Sequence, residues 1–563
     1  MPDVWCEVGF ATDAVNDSVL WTDISDFVEW QDGVRISRRR AHELDLVTPG
    51  TLTARLLNAD GRFTAGNTAS PYYTYVLINR PVRIRVRYPA SVNLIYDGWA
   101  TSAEPQGFAV SQGTKAVDFA VFPAGQTRSI RWDAGTLGST GQTLRIGPSA
   151  LTSPTDEATP ILEGLPYAFS CQARTTVSVS AQLRIRWYGI DSALISETSG
   201  TAVALTTSFQ ALSVAGTAPA GAMWARLVLA NTTTTGSATS IYAGAFQFEQ
   251  AAAASAWVLP GDEDFRYHGF VDKWPSVWHR GVLGYSSLVA TDLQKLLNRQ
   301  RLADLGWISD DQLSGLRVDG LLAAAQAVRD FNTLTDIGQS ALGLSGNEFT
   351  QSILSNIRAA ERSEGGIFFI ARTGTAHFRD RAFRQAPTES GAAVIELTGD
   401  QVGQDLSFLI DSDLLVNQIT VSTDSGTEVT ASDLDSQAAY GQYDGTLDTL
   451  LQTTTEATDR AQYLLNQYAE PKPRAGRISV EANAQPDLWP DMLASEIGRR
   501  IQVTDLPDGT PTDTLDLWIE GVQDVITDQT WTFTFDTSPA AATAAFILDD
   551  ATYGLLDNNY LGW

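Results

Sequence analysis

Across 563 residues the chain has only two cysteines, Cys6 and Cys171, far apart in sequence. That scarcity excludes a disulfide framework and a cysteine-built zinc site. Both thiols are expected to be free and buried, as cysteine usually is. Histidine is almost as rare: His42, His268, His279 and His377 are all there are. His42-Glu43 lacks the second histidine of a zinc helix, and no other pair has ligand spacing. His377, beside Arg379 and Asp380, is expected to be the structural partner of a carboxylate. Basic residues number 38 against 66 acids, a formal charge of −28, which argues against nucleic acid as the main partner. It does not exclude a large acidic assembly that lets DNA pass without sticking. No apolar run approaches the ~20 residues a membrane helix needs. Segment 1–17 has no basic region followed by an apolar run, so no signal peptide is expected, and synthesis is expected in the cytoplasm. Neither a G-x-S-x-G elbow nor a G-x-x-x-x-G-K-[ST] loop occurs. Among 66 acids chance pairs abound, so a paired-acid glycosidase is neither indicated nor refused. No catalytic residue, metal ligand or cofactor is assigned, and a non-enzyme is expected.

Hydrophobic residues make up 43% and charged residues 18%, enough for packed cores throughout. The length suits roughly three to five domains. One stretch, 350–381, reads as a unit of its own. Ile353, Leu354, Ile357 and Ala360 share a helical face. Thr350 or Ser352 is placed to cap the start, and Gly365-Gly366 to end it. Ile367–Ile370 follows as a buried strand, and Thr373-Gly374 turns it back through Ala376–Arg379 as a hairpin.

Residues 1 to about 122 read as mostly strand. In Pro81–Tyr88, valine, isoleucine, valine and tyrosine alternate with Arg83, Arg85 and Arg87. Period two means one buried and one wet face, so a solvated arginine row is expected in preference to a binding stripe. Asn58-Ala59-Asp60-Gly61 looks like half a calcium loop, but Leu56 stands where that pattern needs an acid, and the turn reading wins.

Segment 126–260 differs in character, being rich in Ala, Ser, Thr and Gly and poor in charge. Flanking it, Leu94–Trp99 echoes Phe265–Phe270 in an aromatic–polar–Gly–aromatic pattern. The segment therefore reads as a domain inserted into, or between halves of, the N-terminal sheet, as tolerated at an exposed loop tip. Short strands recur in it at 144–146, 167–173, 183–188, 209–214, 223–230 and 241–248, the pattern of a β-sandwich or jelly roll. Phe169 and Trp187 alternate into its core. From about 284 helices are expected at 288–297, 319–334 and 456–468, with strands at 394–397, 416–421, 477–480, 501–503, 517–522 and 531–535. The expected boundaries are 1–125, 126–260, 261–300, 301–390, 391–545 and 546–563. The fold class expected is multidomain, mainly β with α+β parts and an inserted β-sandwich.

Several phrases recur in an order that resembles the baseplate hub (minor tail) proteins of long-tailed bacteriophages, especially those of actinobacteria. They are Gly9-Phe10, Trp21-Thr22-Asp23-Ile24, Pro49-Gly50-Thr51-Leu52, Asp60-Gly61-Arg62-Phe63 and Tyr72-Tyr73. Further on come Glu364-Gly365-Gly366 with Asp380-Arg381, Val416–Val421, Tyr468–Arg474, Ile497–Val503, Trp518–Val522 and Trp531–Phe535. The insert resembles carbohydrate-binding-module-like jelly rolls through Tyr167–Ser170, Ile185–Gly189, Pro219–Ala222, Ala225–Leu227, Phe246–Glu249 and Trp257. The first resemblance implies a structural hub, a homotrimeric ring closing the tail tube in the virion. It would touch the distal tail protein, the tape-measure protein and other minor tail or receptor-binding proteins, with no sequence-specific nucleic acid and no stable membrane insertion. The second implies sugar stacking on aromatic faces, with Tyr188, Trp224, Tyr242 and Trp257 as candidates and a host cell-wall glycan as ligand. The apolar end, with Tyr553, Leu555, Leu556 and Trp563, is expected to dock on a neighbouring chain.

Overall fold

Alternation in the sequence becomes alternation in space in the computed structural model. It describes residues 1–12, 19–95, 108–146, 159–258, 261–279, 283–302, 308, 310–326, 331–385, 394–402, 406–410, 412–471 and 473–540. The architecture is multidomain and mainly β, with α+β parts and an inserted β-sandwich. Two compact units result, one of 1–28, 56–266 and 274–286, the other of 29–55, 267–273 and 287–563. The expected tail contacts at 553–563, and residues 96–99 of the internal echo, lie outside the described residues.

In the first unit Asp3–Val8 pairs antiparallel with Pro81–Tyr88. The next neighbour of Pro81–Tyr88 in that sheet is Asp262–Lys273. Every strand of the sandwich falls in sequence between these two neighbours, so the chain leaves one strand and returns to the adjacent one. One sandwich sheet runs Leu194–Ser199, Val179–Tyr188, Trp224–Asn231, Thr143–Ile146, Phe108–Val110. The other runs Gln210–Thr217, Pro166–Thr175, Ala238–Glu249, Ser129–Thr136, Thr114–Asp118. Trp132, Phe169, Leu183, Trp187, Ile241 and Phe248 fill the space between them. Phe108–Val110 and Thr114–Asp118 precede the expected start at 126, because these edge strands are too short to show a period. Both thiols are free and buried.

In the second unit Leu515–Ile526 is the longest shared rail. Val34–Arg39 and Arg500–Thr504 pair with it, as does Trp531–Pro539, whose other partner is Arg477–Glu481. The helix Ile353–Glu364 begins at Ser352, whose Oγ accepts the Ser355 N–H at 3.1 Å. It ends at Gly365, where φ is +75°. The hairpin Ile367–Ile370 with Ala376–Arg379 follows as expected. A second helix, Thr454–Tyr468, is capped by Thr453 and covers the three-stranded sheet built around Gln418–Ser422.

Two helical expectations are corrected. Residues 288–291 belong to the strand Leu283–Thr291, paired with Phe270–Lys273, and only Gln294–Leu297 is helical. The run at 319–334 is a helix at Ser314–Gln326, whereas Leu334 lies in a strand parallel to Ala376–Arg379. Leucines at these spacings suit either period, and strand partners far along the chain decide.

Candidate functional site

The arginine row is not a solvated face. Glu7, fully buried on Asp3–Val8, takes Arg83 at 2.6 Å and Arg85 at 2.9 Å. Arg85 also holds Glu263 at 2.7 Å. Aromatic faces cover the guanidinium groups: Arg83 lies 4.2 Å from the Trp21 ring centroid and Arg85 4.1 Å from that of Trp5. Burial alone would raise the Glu7 pKa, but the two arginines outweigh it and hold it down at about 2. This ladder is internal ionic structure.

Trp224 is corrected as well. It sits on the outward face of its sheet, directly opposite Tyr188, yet it is only 1% exposed. Its indole N–H donates to the Trp21 carbonyl at 2.6 Å. The ring therefore seats the sandwich on the N-terminal strands and presents no face to a sugar. Asn93, fully buried, ties the crossing segments together. Its amide N–H groups donate to the carbonyls of Phe246 at 2.9 Å and Val258 at 3.1 Å. Its Oδ1 accepts the backbone N–H groups of Ile95 and Phe248. At Gly261 a Cβ would stand 2.0 Å from the Pro89 carbonyl oxygen, so only glycine lets the returning chain pass so close.

The three other aromatics stay at or near the surface but do not converge. Tyr188 points outward under the Arg226 guanidinium, 5.2 Å from its ring centroid. Trp257 is half-buried by the crossing segments, its indole N–H given to the Phe246 carbonyl at 3.2 Å. Tyr242 points outward from the other sheet, because Ile241 and Ala243 on either side are core. Its cross-strand neighbours are Arg174 and Arg131. Arg174 lies 5.7 Å from the Tyr242 centroid and 6.0 Å from that of Phe209. Arg131 is held by Asp133 at 3.0 Å and Asp118 at 3.3 Å, and Asp133 chiefly raises its pKa. Sequence reading singled out Tyr242 but missed Arg174, Arg131 and Phe209. The alternation of Pro166–Thr175 shows that Arg174 faces outward, but only cross-strand register puts it beside Tyr242.

In the second unit the acids that would suggest hydrolysis are engaged in structure. Glu520 is fully buried between Arg40 at 2.6 Å and Arg384 at 2.8 Å. Asp380, its pKa raised by burial, accepts the N–H of Ala382 at 2.9 Å and starts the short helix Ala382–Gln385. Asp336, which also raises it, binds Arg379 at 3.0 Å. The His377 ring packs on Phe369 with centroids 5.0 Å apart. Burial lowers its pKa to about 4, although the carboxylates of Glu496 and Asp336 act to raise it, so the ring is neutral. Among the described residues no three His, Cys, Asp or Glu side chains gather as a metal site. None of the described helices is long and apolar enough to cross a membrane.

No family model matches the chain, and no curated protein matches it in sequence. Solved structures do. The 43 kDa tail protein of prophage MuSo2 from Shewanella oneidensis is 11% identical with a TM-score of 0.36, covering 73% of this chain and 99% of its own. The tail protein from Neisseria meningitidis MC58 is 12% identical with a TM-score of 0.37, covering 66% of this chain and 96% of its own. The CBM22-1 xylan-binding domain from Paenibacillus barcinonensis is 13% identical with a TM-score of 0.21, covering 27% of this chain and 91% of its own. In structure the chain is therefore similar to prophage tail proteins over 66–73% of its length and to a carbohydrate-binding module over 27%.

Proposed function

We propose that this chain is a structural protein of a bacteriophage tail tip, of the hub type, working through shared surfaces with no bond made or broken. The observation that carries the reading is the way the sandwich is mounted. It issues from neighbouring strands of a host sheet and is seated there by Trp224 and Asn93. That is how a scaffold carries a rigid accessory module. The phrases Val416–Val421, Ile497–Val503, Trp518–Val522 and Trp531–Phe535 support it by overlapping the strands Gln418–Ser422, Arg500–Thr504, Leu515–Ile526 and Trp531–Pro539. Copies of the chain would close a ring, a trimer by the resemblance, against the distal tail and tape-measure proteins. Residues 553–563 would pack on a neighbouring copy. Mass photometry and negative-stain imaging of the purified chain are expected to show closed rings, and truncation after 545 to shift them towards monomers. A monomer at micromolar concentration, or a clearing band in cell-wall zymography, refutes the reading.

A second reading, host-glycan binding by the insert, is favoured by the outward aromatic Tyr242 with its flanking arginines. It coexists with the first. Retention of the full chain on immobilised host cell wall tests it, and passage without retention leaves the insert a spacer.

A further inference from the structure

The outward row Phe209–Arg174–Tyr242–Arg131 holds one charge that the fold does not use. Arg131 is neutralised by Asp118 and Asp133. Arg174, in contrast, meets no carboxylate among the described residues, and its Nε is buried without a hydrogen-bond partner. Its guanidinium carbon lies 6.0 Å from the Phe209 ring centroid and 5.7 Å from that of Tyr242, and neither ring accepts an N–H in the way an anion does. Beside Tyr242 the sheet surface is rimmed by a loop. Pro123 lies over Gly244, 3.0 Å from where a Cβ would be, and the same loop carries Phe119 at 59% and Phe122 at 37% exposure.

From this geometry, and resting on the reading of the insert as a glycan module, we infer that the row around Tyr242 binds an acidic sugar. A pyranose face stacks on Tyr242, and the sugar's carboxylate or phosphate accepts paired N–H bonds from Arg174. Planar, pre-oriented guanidinium groups suit such bidentate anions, and charge-assisted bonds are roughly twice as strong as neutral ones. The chain's charge of −28 disfavours casual anion binding, so a placed cation is needed, and in this row Arg174 is the arginine that no described carboxylate neutralises.

Affinity electrophoresis of the full chain in gels of polygalacturonate, phosphomannan (a pyranose polymer carrying phosphodiesters) and neutral xylan tests this. Retardation is expected in at least one acidic gel. Polygalacturonate alone assigns a carboxylate, phosphomannan alone a phosphate. Arg174→Gln should weaken that binding about tenfold or more, Arg174→Lys should restore part of it, and Tyr242→Ala should weaken it to a similar extent. If Arg174→Gln does not fold, the unaltered chain still decides by its choice among the three gels and by competition with free galacturonate. Retardation in xylan only, or equal retardation of Arg174→Gln and the parent in an acidic gel, overturns the acidic-sugar inference and leaves the glycan module standing. Passage through all three gels removes both.

Discussion

Glu7 is the residue whose removal says most about how the first unit is held. It is fully buried, and it is the one carboxylate among the described residues that Arg83 reaches, whereas Arg85 keeps Glu263. The arginines hold its pKa at about 2, against an ordinary 4.5. At 1.36 kcal/mol per pKa unit the native state gains about 3 kcal/mol from this carboxylate at neutral pH. Because the folded value is depressed, that gain is complete above pH 4.5 and is lost as pH falls towards 2. Glu7→Gln removes the charge and leaves Arg83 nearly buried without a counter-ion, a change that costs about 3–5 kcal/mol in buried pairs. Arg83 and Arg85 side chains are 16% and 11% exposed, so the lower end applies. For a unit of this size the loss lowers the melting temperature by about 6–12 °C. Calorimetry resolves the unit's transition, and a double-mutant cycle with Arg83→Gln isolates the pair: the double variant should be more stable than the sum of the single losses implies. A Glu7→Gln chain that melts within a degree of the parent at pH 7 refutes the reasoning, as does a parent transition unmoved between pH 5 and 2.5.

Asp292 should act in the opposite sense. Burial pushes its pKa to about 7 even though Gly50 and Gln294 N–H groups point at it. The folded chain then takes up a proton that the unfolded chain does not, so stability rises as pH falls from about 7 towards 3.8, by at most about 4 kcal/mol. Asp292→Asn should flatten that slope in denaturant titrations across this range, and an unchanged slope refutes the assignment. Gly365→Ala places a Cβ in a left-handed position 2.4 Å from the Arg460 guanidinium, and should cost about 2 kcal/mol in chemical denaturation. Trp224→Phe keeps an aromatic ring at the seat but leaves a small void and the Trp21 carbonyl without its indole donor. Hydrogen exchange around 21–24 should speed up while the sandwich core stays protected. Ser352→Ala removes the N-cap of Ile353–Glu364 and should cost about 1 kcal/mol.

What could be read from the sequence was mostly what neighbours along the chain decide. The cap at Ser352, the stop at Gly365 and the hairpin behind it depend on a few adjacent residues, and all were legible. So were the long sandwich strands, whose alternation sends Trp187 and Phe169 inward. Alternation also placed Arg83, Arg85 and Arg87 on one face, but period two gives a face without saying what covers it. The cover comes from Glu7, Trp5, Trp21 and Glu263, and the last is about 180 residues away. The burial of Trp224 is hidden from the local sequence for the same reason, its hydrogen-bond acceptor being the distant Trp21. The candidate glycan row was half legible. Tyr242 declares itself by type, while Arg174 gains its meaning only from the register of three strands.

Mounting the sandwich between neighbouring strands has an energetic consequence. The host sheet needs only that residues 88 and 262 stay side by side, and a folded module satisfies this whatever its length, where a flexible loop would cost more closure entropy as it grew. The close passage at Gly261 and the four side-chain hydrogen bonds of Asn93 fix that entry point. One fixed point would leave a hinge. Trp224 adds a second contact on the sheet face, remote in sequence from the first, and two separated contacts remove the freedom to swing. A module mounted in this way holds its Tyr242 row at a set angle to the strands beneath it. Several copies in a closed ring would then present their rows in a fixed array, and weak single-site binding would add up through geometry without any new contact. Loosening the seat with Trp224→Phe should therefore weaken multivalent capture by an assembled ring while leaving the binding of a soluble galacturonate unit unchanged. Equal losses for both ligands would place Trp224 in the binding site itself and refute the rigid-mount argument.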